Sequence, residues 1–245
     1  MQDKKLVVVT GASRGIGFAI TKNLLQNGFQ VHMIAHQEDG LKRAQETLQD
    51  YGEIDYSVLD LSRRDEIKKF CQNWSEKIYG LVNNAGRWAE ERLDKPDSGI
   101  WDPIMKLNVE GLYFLTKGLQ GHIVKGGRIV NISSQLGTSG RAGMGIYSAS
   151  KHAVIGLTRS WALELGNREI TVNAVCPGWV NTESNRIEIG ERAAEESVSL
   201  EEKMSEITKP LTLHRFIEPE EIANLVTFLV KPSSGGITGQ VYEIK

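Results

Sequence analysis

The sequence predicts an α/β protein in which a parallel sheet is covered by helices on both faces. Short runs of apolar, β-branched residues alternate with amphipathic helical patterns along the chain, and a glycine-rich turn follows the first run. Hydrophobic residues make up 40% of the 245 residues, which is enough for one large core. Because strands that alternate with helices are joined by right-handed crossovers, the strands are expected to be parallel.

Each apolar run has the length of a buried strand, and each helical pattern repeats its apolar residues every three or four positions. The predicted strands span residues 5–10, 30–35, 54–61, 79–86, 127–134, 170–176 and 239–244. The predicted helices span residues 15–28, 41–51, the stretch that ends near 77, 100–123, 147–166 and 218–230. Pro219 suits the first turn of the last helix, because that position needs no backbone N–H group.

Residues 183–210 interrupt the alternation. They are charged and helix-prone and contain no strand pattern. Because no linker or repeat divides the chain, we expect a single domain over residues 1–245, with this segment as an insertion. Insertions of this kind in compact domains are often lids over a binding site, so the segment is predicted to close over a substrate.

Charge and cysteine content narrow the partners and the compartment. The net charge is −2 and the isoelectric point is about 6.2, so neither nucleic acid nor a membrane surface is expected as a partner. The two cysteines and five histidines have no metal-binding spacing, so no metal is expected. The start of the chain does not resemble a signal peptide, and no segment approaches the ~18 apolar residues of a membrane span. The simplest prediction is a cytoplasmic protein.

The segment TGASRGIG (10–17) connects the first strand to the first helix. Gly11, Gly15 and Gly17 allow a tight turn, a close approach of the backbone to a pyrophosphate, and close packing of the helix on the sheet. The helix N-terminus then offers free N–H groups to the phosphates. A glycine-rich turn without a ligand is the alternative, but its position between strand and helix favours a dinucleotide site.

The end of the second strand bears on which dinucleotide binds. An acidic residue there would bind a ribose 2′-hydroxyl, but the strand ends at His36, and Arg14 in the glycine loop can reach the same region. A guanidinium without a neighbouring carboxylate suits a 2′-phosphate, which predicts NADP(H). Glu38 and Asp39 keep NAD(H) as an alternative. Asp60, after the third strand, is placed to accept a hydrogen bond from the adenine amino group or to cap the next helix.

The segment YSASK (147–151) places a tyrosine and a lysine one helical turn apart on one face. A phenol with an ordinary pKa near 10 is a poor acid at neutral pH, but a cation ~4 Å away lowers that pKa by roughly three units at an effective dielectric of about 20. Lys151 would supply this cation to Tyr147. Ser134, at the end of a neighbouring strand, would bind the substrate oxygen. A pair of solvated surface residues is the alternative.

Five segments follow one another along nearly the whole chain: TGASRGIG (10–17), NNAG (83–86), NISS (131–134), YSASK (147–151) and CPGWVNT (176–182). Together they resemble the short-chain dehydrogenase/reductase family. The resemblance implies a single Rossmann-type, doubly wound parallel sheet of about seven strands. It also implies that the helices over 100–123 and 147–166 form a subunit interface, so a homodimer or homotetramer is expected.

The resemblance further assigns roles to individual residues. It implies Tyr147 as the acid/base, Lys151 as the residue that holds the nicotinamide ribose and lowers the tyrosine pKa, Ser134 as the catalytic serine, and Asn108 as part of the proton relay. Asn83, Ala85 and Gly86 would line the adenosine side, and the loop from Pro177 would contact the nicotinamide end. The candidate cofactor contacts are Gly11, Ser13, Arg14, Gly15, Ile16, Gly17, His36, Asp60, Leu61, Asn83, Ala85, Gly86, Tyr147, Lys151, Pro177, Gly178, Val180 and Thr182.

The expected activity is reversible hydride transfer between a nicotinamide and a small-molecule ketone or secondary alcohol. Trp179 and Met144 are candidate apolar residues of the substrate pocket. Arg87 and Arg141 could attract an anionic substrate or an acyl carrier, although arginines on loops are more often simply solvated. A 3-oxoacyl-carrier-protein reductase and a nucleotide sensor without catalysis are the alternatives, and the presence of Tyr147 and Lys151 argues against the sensor.

Overall fold

The computed structural model describes residues 5–245, and within them it shows a seven-stranded parallel sheet with the order β3-β2-β1-β4-β5-β6-β7. The expected Rossmann-type α/β fold is therefore confirmed. The strands are β1 (Leu6–Thr10), β2 (Gln30–Ala35), β3 (Ile54–Val58), β4 (Ile78–Asn83), β5 (Ile123–Ile132), β6 (Thr171–Pro177) and β7 (Val241–Ile244). The helices are α1 (Gly15–Gln26), α2 (Glu38–Leu48), α3 (Arg64–Asn73), α4 (Trp101–Met105), α5 (Leu112–Leu119), α6 (Gly145–Leu165), α7 (Glu183–Glu195), α8 (Leu200–Thr208) and α9 (Pro219–Val230).

Two hydrophobic layers cover the two faces of the sheet. Successive residues of β1 point to opposite faces, so that Val7 and Val9 pack in one layer and Val8 packs in the other. The layer around Val7 and Val9 contains apolar residues of α1, α2 and α9, whereas the layer around Val8 contains those of α3, α5 and α6. This double coverage explains why the strands carry nearly continuous apolar runs.

The order of the strands reverses at β1, which is paired with β2 on one side and with β4 on the other. The chain therefore leaves the carboxyl end of β1 towards one half of the sheet and the carboxyl end of β4 towards the other. Such a reversal opens a crevice between the two departing loops, and ligands of open α/β sheets bind there. The glycine loop (10–17) follows β1, and the NNAG segment (83–86) is at the end of β4.

The long helix predicted over 100–123 is divided in the structure. Residues Lys106–Gly111 form a π-helical segment between α4 and α5, and α5 ends at Leu119. The strand that follows begins at Ile123 rather than at 127, because Ile123 pairs with Ile78 before an irregularity in the register. A glycine pair at 126–127, with Gly126 at φ +74°, looks like a turn in the sequence but lies inside β5.

Shorter differences occur around β3. The strand ends at Val58 rather than at 61, because Asp60 accepts hydrogen bonds from the backbone N–H (2.9 Å) and the hydroxyl (2.7 Å) of Ser62 and turns the chain. Helix α3 then spans Arg64–Asn73 and stops short of 77. These bonds make Asp60 a turn residue, and the cap of α3 is Arg63 instead.

The charged segment 183–210 folds into α7 and α8. Thr182 caps α7 by accepting from Asn185, and Ser199 with Glu202 forms a capping box at the start of α8. Arg192 of α7 pairs with Glu90, on the loop after β4, at 3.0 Å. Among residues 5–245, no helix is both long and apolar enough to cross a membrane.

The core packing predicts a difference between two leucines in helices. Leu115 of α5 is fully buried, whereas Leu200 of α8 is 41% exposed. We expect Leu115→Ala to lower the free energy of unfolding by about 2–5 kcal/mol and Leu200→Ala to lower it by less than about 1 kcal/mol, because only the first leaves a cavity. Urea unfolding followed by circular dichroism measures both. Equal losses would contradict the assignment of Leu115 to the core.

Candidate active site

A cleft of about 430 Å³ lies at the carboxyl ends of the central strands. It contains residues from the glycine loop, the loop after β4, the segment after β5, α6 and the loop after β6. The cleft is lined by Ile16, Asn84, Gly86, Arg87, Trp88, Ile132, Ser133, Ser134, Gln135, Leu136, Ser139, Gly140, Arg141, Met144, Tyr147, Lys151, Pro177, Gly178, Trp179, Val180, Thr182 and Asn185. The structure thus brings Ser134, Tyr147 and Lys151 together in one cavity.

The glycine loop has no room for side chains at two of its glycines. A Cβ atom on Gly11, which has φ +64°, would be 2.9 Å from the Cα of Ala85, and a Cβ on Gly17 would overlap the carbonyl oxygen of Gly11. The residue before α1, Arg14, is extended and makes no side-chain cap. A tight backbone turn at an uncapped helix N-terminus fits the pyrophosphate of a dinucleotide.

Residues predicted for the adenosine end gather at the edge of this loop. A Cβ atom on Gly40, in the first turns of α2, would be 3.4 Å from the hydroxyl of Ser13. Burial raises the pKa of Asp60, but hydrogen bonds from Ser62 and the nearby charge of His36 outweigh it and lower that pKa. Arg14 and His36 are both exposed at this corner. These side chains could hold a ribose phosphate.

The acidic residues after β2 are arranged differently from one another. Glu38 forms an ion pair with Lys42 at 2.9 Å, one turn along α2, and both side chains are about half exposed. Asp39 is exposed in the same first turn. The carboxylate of Glu38 is therefore already paired within its own helix.

The two asparagines at the end of β4, Asn83 and Asn84, have side chains that point in different directions. Asn83 is buried and donates to Thr116 (3.0 Å) and Asn131 (2.8 Å), so its side chain does not line the cleft. Asn84 does line it, and its amide donates to the carbonyl of Thr10 at 2.9 Å. The motif NNAG predicts a cofactor contact at Asn83, whereas in the structure it is Asn84 that faces the cleft. The alternation of side chains along a strand was the signal that could have separated them.

The remaining predicted contacts fall into two groups. Pro177, Gly178, Val180 and Thr182 line the cleft opposite the glycine loop, and the Cγ2 of Thr182 is 3.5 Å from a Cβ placed on Gly15. Leu61 is buried in the core beneath the π-helical segment. Its side chain is therefore not a cleft surface.

Helix α6 positions the tyrosine and the lysine. Tyr147 lies in its first turn and Lys151 one turn further on. The Nζ of Lys151 donates to the carbonyl of Ile132 at 2.9 Å and is 5.8 Å from the centre of the Tyr147 ring. Ser134 lies two residues after the end of β5, where its hydroxyl accepts from the N–H of Leu136 at 3.1 Å. Ser133 also lines the cleft, but its hydroxyl is buried and donates to the carbonyl of Lys151, so Ser134 is the better candidate to bind a substrate oxygen.

Burial dominates the protonation of both groups on α6. It raises the pKa of Tyr147, and the hydrogen bond of Ser134 and the charge of Arg141 offset this only in part. It lowers the pKa of Lys151 to about 8. The expected lowering of the tyrosine pKa by Lys151 is thus not what the structure shows, because the ammonium is directed at Ile132 and the phenol is desolvated.

Asn108 lies in the π-helical segment and is buried. Its amide donates to the carbonyl of Arg87 (2.8 Å) and to Ser150 (3.0 Å), and its oxygen accepts from the N–H of Arg87 (2.9 Å). A Cβ atom on Gly86 would be 3.2 Å from both the Asn108 oxygen and the Lys151 Nζ. Asn108 and Lys151 therefore flank the same glycine. Widened helical turns of this type often occur at functional sites.

Comparison with known proteins identifies the class of this site. A family model described as short chain dehydrogenase matches residues 5–192. The chain is 36% identical over 249 residues to a 3-oxoacyl-[acyl-carrier-protein] reductase, FabG, of Thermotoga maritima, covering 98% of this chain and 96% of the relative. It is 33% identical over 245 residues to the FabG of Vibrio cholerae, covering 98% and 95%.

Solved structures give the same result. A single-substitution variant of actinorhodin polyketide ketoreductase with NADPH has a TM-score of 0.91 and 33% identity, over 100% of this chain and 97% of that one. This chain belongs to the short-chain dehydrogenase family. It is an oxidoreductase that acts on CH–OH groups.

The lowered pKa of Lys151 predicts how activity depends on pH. The ammonium loses its proton as the pH rises through about 8, whereas Tyr147 stays protonated there. We expect kcat/KM for carbonyl reduction to be level between about pH 6 and 7 and to fall through an apparent pKa near 8, because the positive charge beside the phenol is lost. Lys151→Arg is the control, since a guanidinium stays charged and its residual activity should not fall in this range. A wild-type profile that stays level to about pH 9.5 would contradict the prediction.

Proposed function

We propose that this protein is an NADPH-dependent carbonyl reductase and alcohol dehydrogenase in which Ser134, Tyr147 and Lys151 carry the proton chemistry. The observation that supports this most directly is their position. The hydroxyl of Ser134, the phenol of Tyr147 and the ammonium of Lys151 line one cleft at the point where the strand order reverses. The neighbouring glycine loop is packed so tightly that Gly11 and Gly17 leave no room for side chains. Hydride transfer needs a proton donor beside a bound nicotinamide, and this cleft has one.

Each residue of the cleft has its own role in the proposed proton transfer. The Ser134 hydroxyl and the Tyr147 phenol bind the carbonyl oxygen of the substrate, and the phenol gives its proton to that oxygen. Lys151 stabilises the phenolate that develops, and Asn108, on the other side of Gly86, continues the path by which the proton is replaced. When bound, the nicotinamide supplies the hydride. The raised pKa of Tyr147 keeps the phenol protonated before the reaction begins, as an acid requires.

We propose the cofactor contacts that the sequence predicts as a set, with two refinements. Asn84 joins the set through its side chain, because it lines the cleft, whereas Asn83 and Leu61 can contribute only through their backbones. The preference for NADP(H) rests on exposed Arg14 and His36 and on the pairing of Glu38 with Lys42. The neighbouring ketoreductase structure with NADPH supports the same choice, with NAD(H) as the alternative.

A second candidate is reduction of a 3-oxoacyl group on an acyl carrier protein. The names of the two FabG relatives favour it, at 33% and 36% identity. A nucleotide sensor without catalysis is disfavoured, because the three catalytic side chains converge on one cavity.

We further propose a homodimer or homotetramer, with α7 and α8 as the lid of a single domain. The proposed location is the cytoplasm, where the free thiols of Cys71 and Cys176 would remain reduced.

The proposal predicts the effect of removing one hydroxyl. We expect Tyr147→Phe to lower kcat for ketone reduction at least about 100-fold, because general acid catalysis contributes roughly 10²–10⁴-fold, while NADPH still binds. Tyr51→Phe is the matched control and should keep full activity, because Tyr51 is exposed and is not among the residues that line the cleft. The decrease in NADPH absorbance measures turnover, and NADPH fluorescence measures binding. Residual activity near wild type in Tyr147→Phe would refute the proton role.

The cofactor preference can be tested separately. We expect Arg14→Ala to raise the KM for NADPH about 10- to 100-fold and to change the KM for NADH less than about threefold, because a charge-assisted hydrogen bond to the 2′-phosphate is lost. Arg159→Ala, an exposed arginine of α6, is the control and should change neither constant. Equal losses with the two cofactors would count against a phosphate contact.

A further inference from the structure

We propose that Arg141 binds a carboxylate of the substrate, so that the substrates of this cleft are keto acids and hydroxy acids. The inference rests on the reductase function proposed above and names its substrate class. A neutral thioester, in contrast, offers no charge for this arginine at the same place. Arg141 is therefore a specificity-determining residue that distinguishes a free acid from an ester or thioester.

Arg141 occupies the substrate side of the cleft. It lies on the loop before α6, between Ser134 and Tyr147 in the chain, and lines the cavity together with both. Its guanidinium is 5.3 Å from the centre of the Trp179 ring, in the range of a cation–π contact. The indole contacts the guanidinium, and no hydrogen bond in the described residues uses its N–H groups, which leaves them for a ligand.

The nearest carboxylates are already bound to another arginine. Arg192 of α7 pairs with Glu90 at 3.0 Å and with Glu188 at 3.0 Å. In the described part of the chain, the Arg141 side chain has no ion pair or hydrogen bond, and its guanidinium is near the Trp179 ring. Burial and the charge of Arg192 lower the pKa of Arg141, and the attraction of Glu90 and Glu188 does not compensate. Arg141 nevertheless keeps an exposed surface, so an anion that enters the cleft can reach a cation that has no partner.

The charge of the cleft has one sign. Of the described residues that line it, those with a formal charge are Arg87, Arg141 and Lys151, and none is a carboxylate. Lys151 is bound to the carbonyl of Ile132, next to Tyr147. Arg87 follows Gly86, and its backbone is held by Asn108. Arg141 thus remains as the cation on the wall formed with Trp179 and Met144, where a substrate rather than a cofactor is expected.

A keto acid contacts the catalytic groups and Arg141 at the same time. Its carbonyl oxygen meets Ser134 and Tyr147, and its carboxylate accepts two parallel N–H bonds from the planar guanidinium of Arg141. The carbonyl carbon gains the hydride of the reduced cofactor, the oxygen gains the Tyr147 proton, and a hydroxy acid results. The carboxylate is unchanged, so its role is to position the carbonyl.

The test compares matched acids and esters. We expect wild-type protein to reduce at least one of pyruvate, acetoacetate and levulinate with a higher kcat/KM than its methyl ester. Arg141→Gln should lower kcat/KM for that acid about 10- to 100-fold, mainly through KM, and change the ester less than about threefold. Arg141→Lys should restore part of the preference, because the charge returns without the planar fork. Arg87→Gln, which removes the other arginine that lines the cleft, should leave the ratio of acid to ester within about threefold of wild type.

Three results would overturn the inference while the proposed reductase function stands: a wild-type preference for the esters, equal losses for acid and ester in Arg141→Gln, or loss of the preference in Arg87→Gln instead. If wild-type protein reduced no carbonyl compound, the proposed function itself would fail. Calorimetry on the complex of wild-type protein with NADPH then tests the inference independently of turnover. It compares the binding of lactate, 3-hydroxybutyrate and 4-hydroxyvalerate with the binding of their methyl esters. Tighter binding of an acid that Arg141→Gln removes supports it, and equal binding of acid and ester overturns it.

Discussion

The buried ammonium of Lys151 is the constraint on which the candidate site depends. Its bond to the carbonyl of Ile132 ties α6 to the end of β5, and that bond fixes where Tyr147, one turn earlier, meets the segment that carries Ser134. The same ammonium approaches Gly86 so closely that a side chain there would have little room. An unpaired buried charge is costly. The ammonium therefore donates to a backbone carbonyl, and burial lowers the pKa of Lys151 to about 8. Catalytic placement and the stability of the strand end therefore depend on one contact.

Local sequence patterns predicted most of the strands and helices of the fold. Strand β2 has the expected bounds, 30–35, because an apolar run between two polar turns leaves little choice. The sequence could not reveal features that depend on tertiary contacts. The π-helical segment around Asn108 has the same residue pattern as a regular helix, and β5 starts at Ile123 because Ile78 pairs with it from another part of the chain. Asn83 and Asn84 are an intermediate case: the alternation of side chains along a strand separates them, but only once β4 is known to end at Asn83.

The electrostatics of the tyrosine show a further limit of sequence reasoning. Helical spacing correctly places Tyr147 and Lys151 on one helix one turn apart, yet spacing says nothing about where the ammonium points or how much water the phenol loses. Burial raises the tyrosine pKa, and the groups that offset it are Ser134 and Arg141, which both lie on the connection between β5 and α6. A sequence motif specifies the partners of a proton transfer, whereas the packing around them sets the direction of each pKa shift.

Two arginine–tryptophan contacts lie at the cleft, and both tryptophans line it. Arg192, on the proposed lid, is 5.7 Å from the ring of Trp88, and Arg141 is 5.3 Å from that of Trp179. The first arginine is neutralised by Glu90 and Glu188, so it acts as a structural link between α7 and the loop after β4. The second has the same aromatic support but, among residues 5–245, no carboxylate paired with it. Because both guanidinium groups lie near an indole, the difference in pairing separates a residue that links α7 to the loop after β4 from one that is available to what enters the cleft.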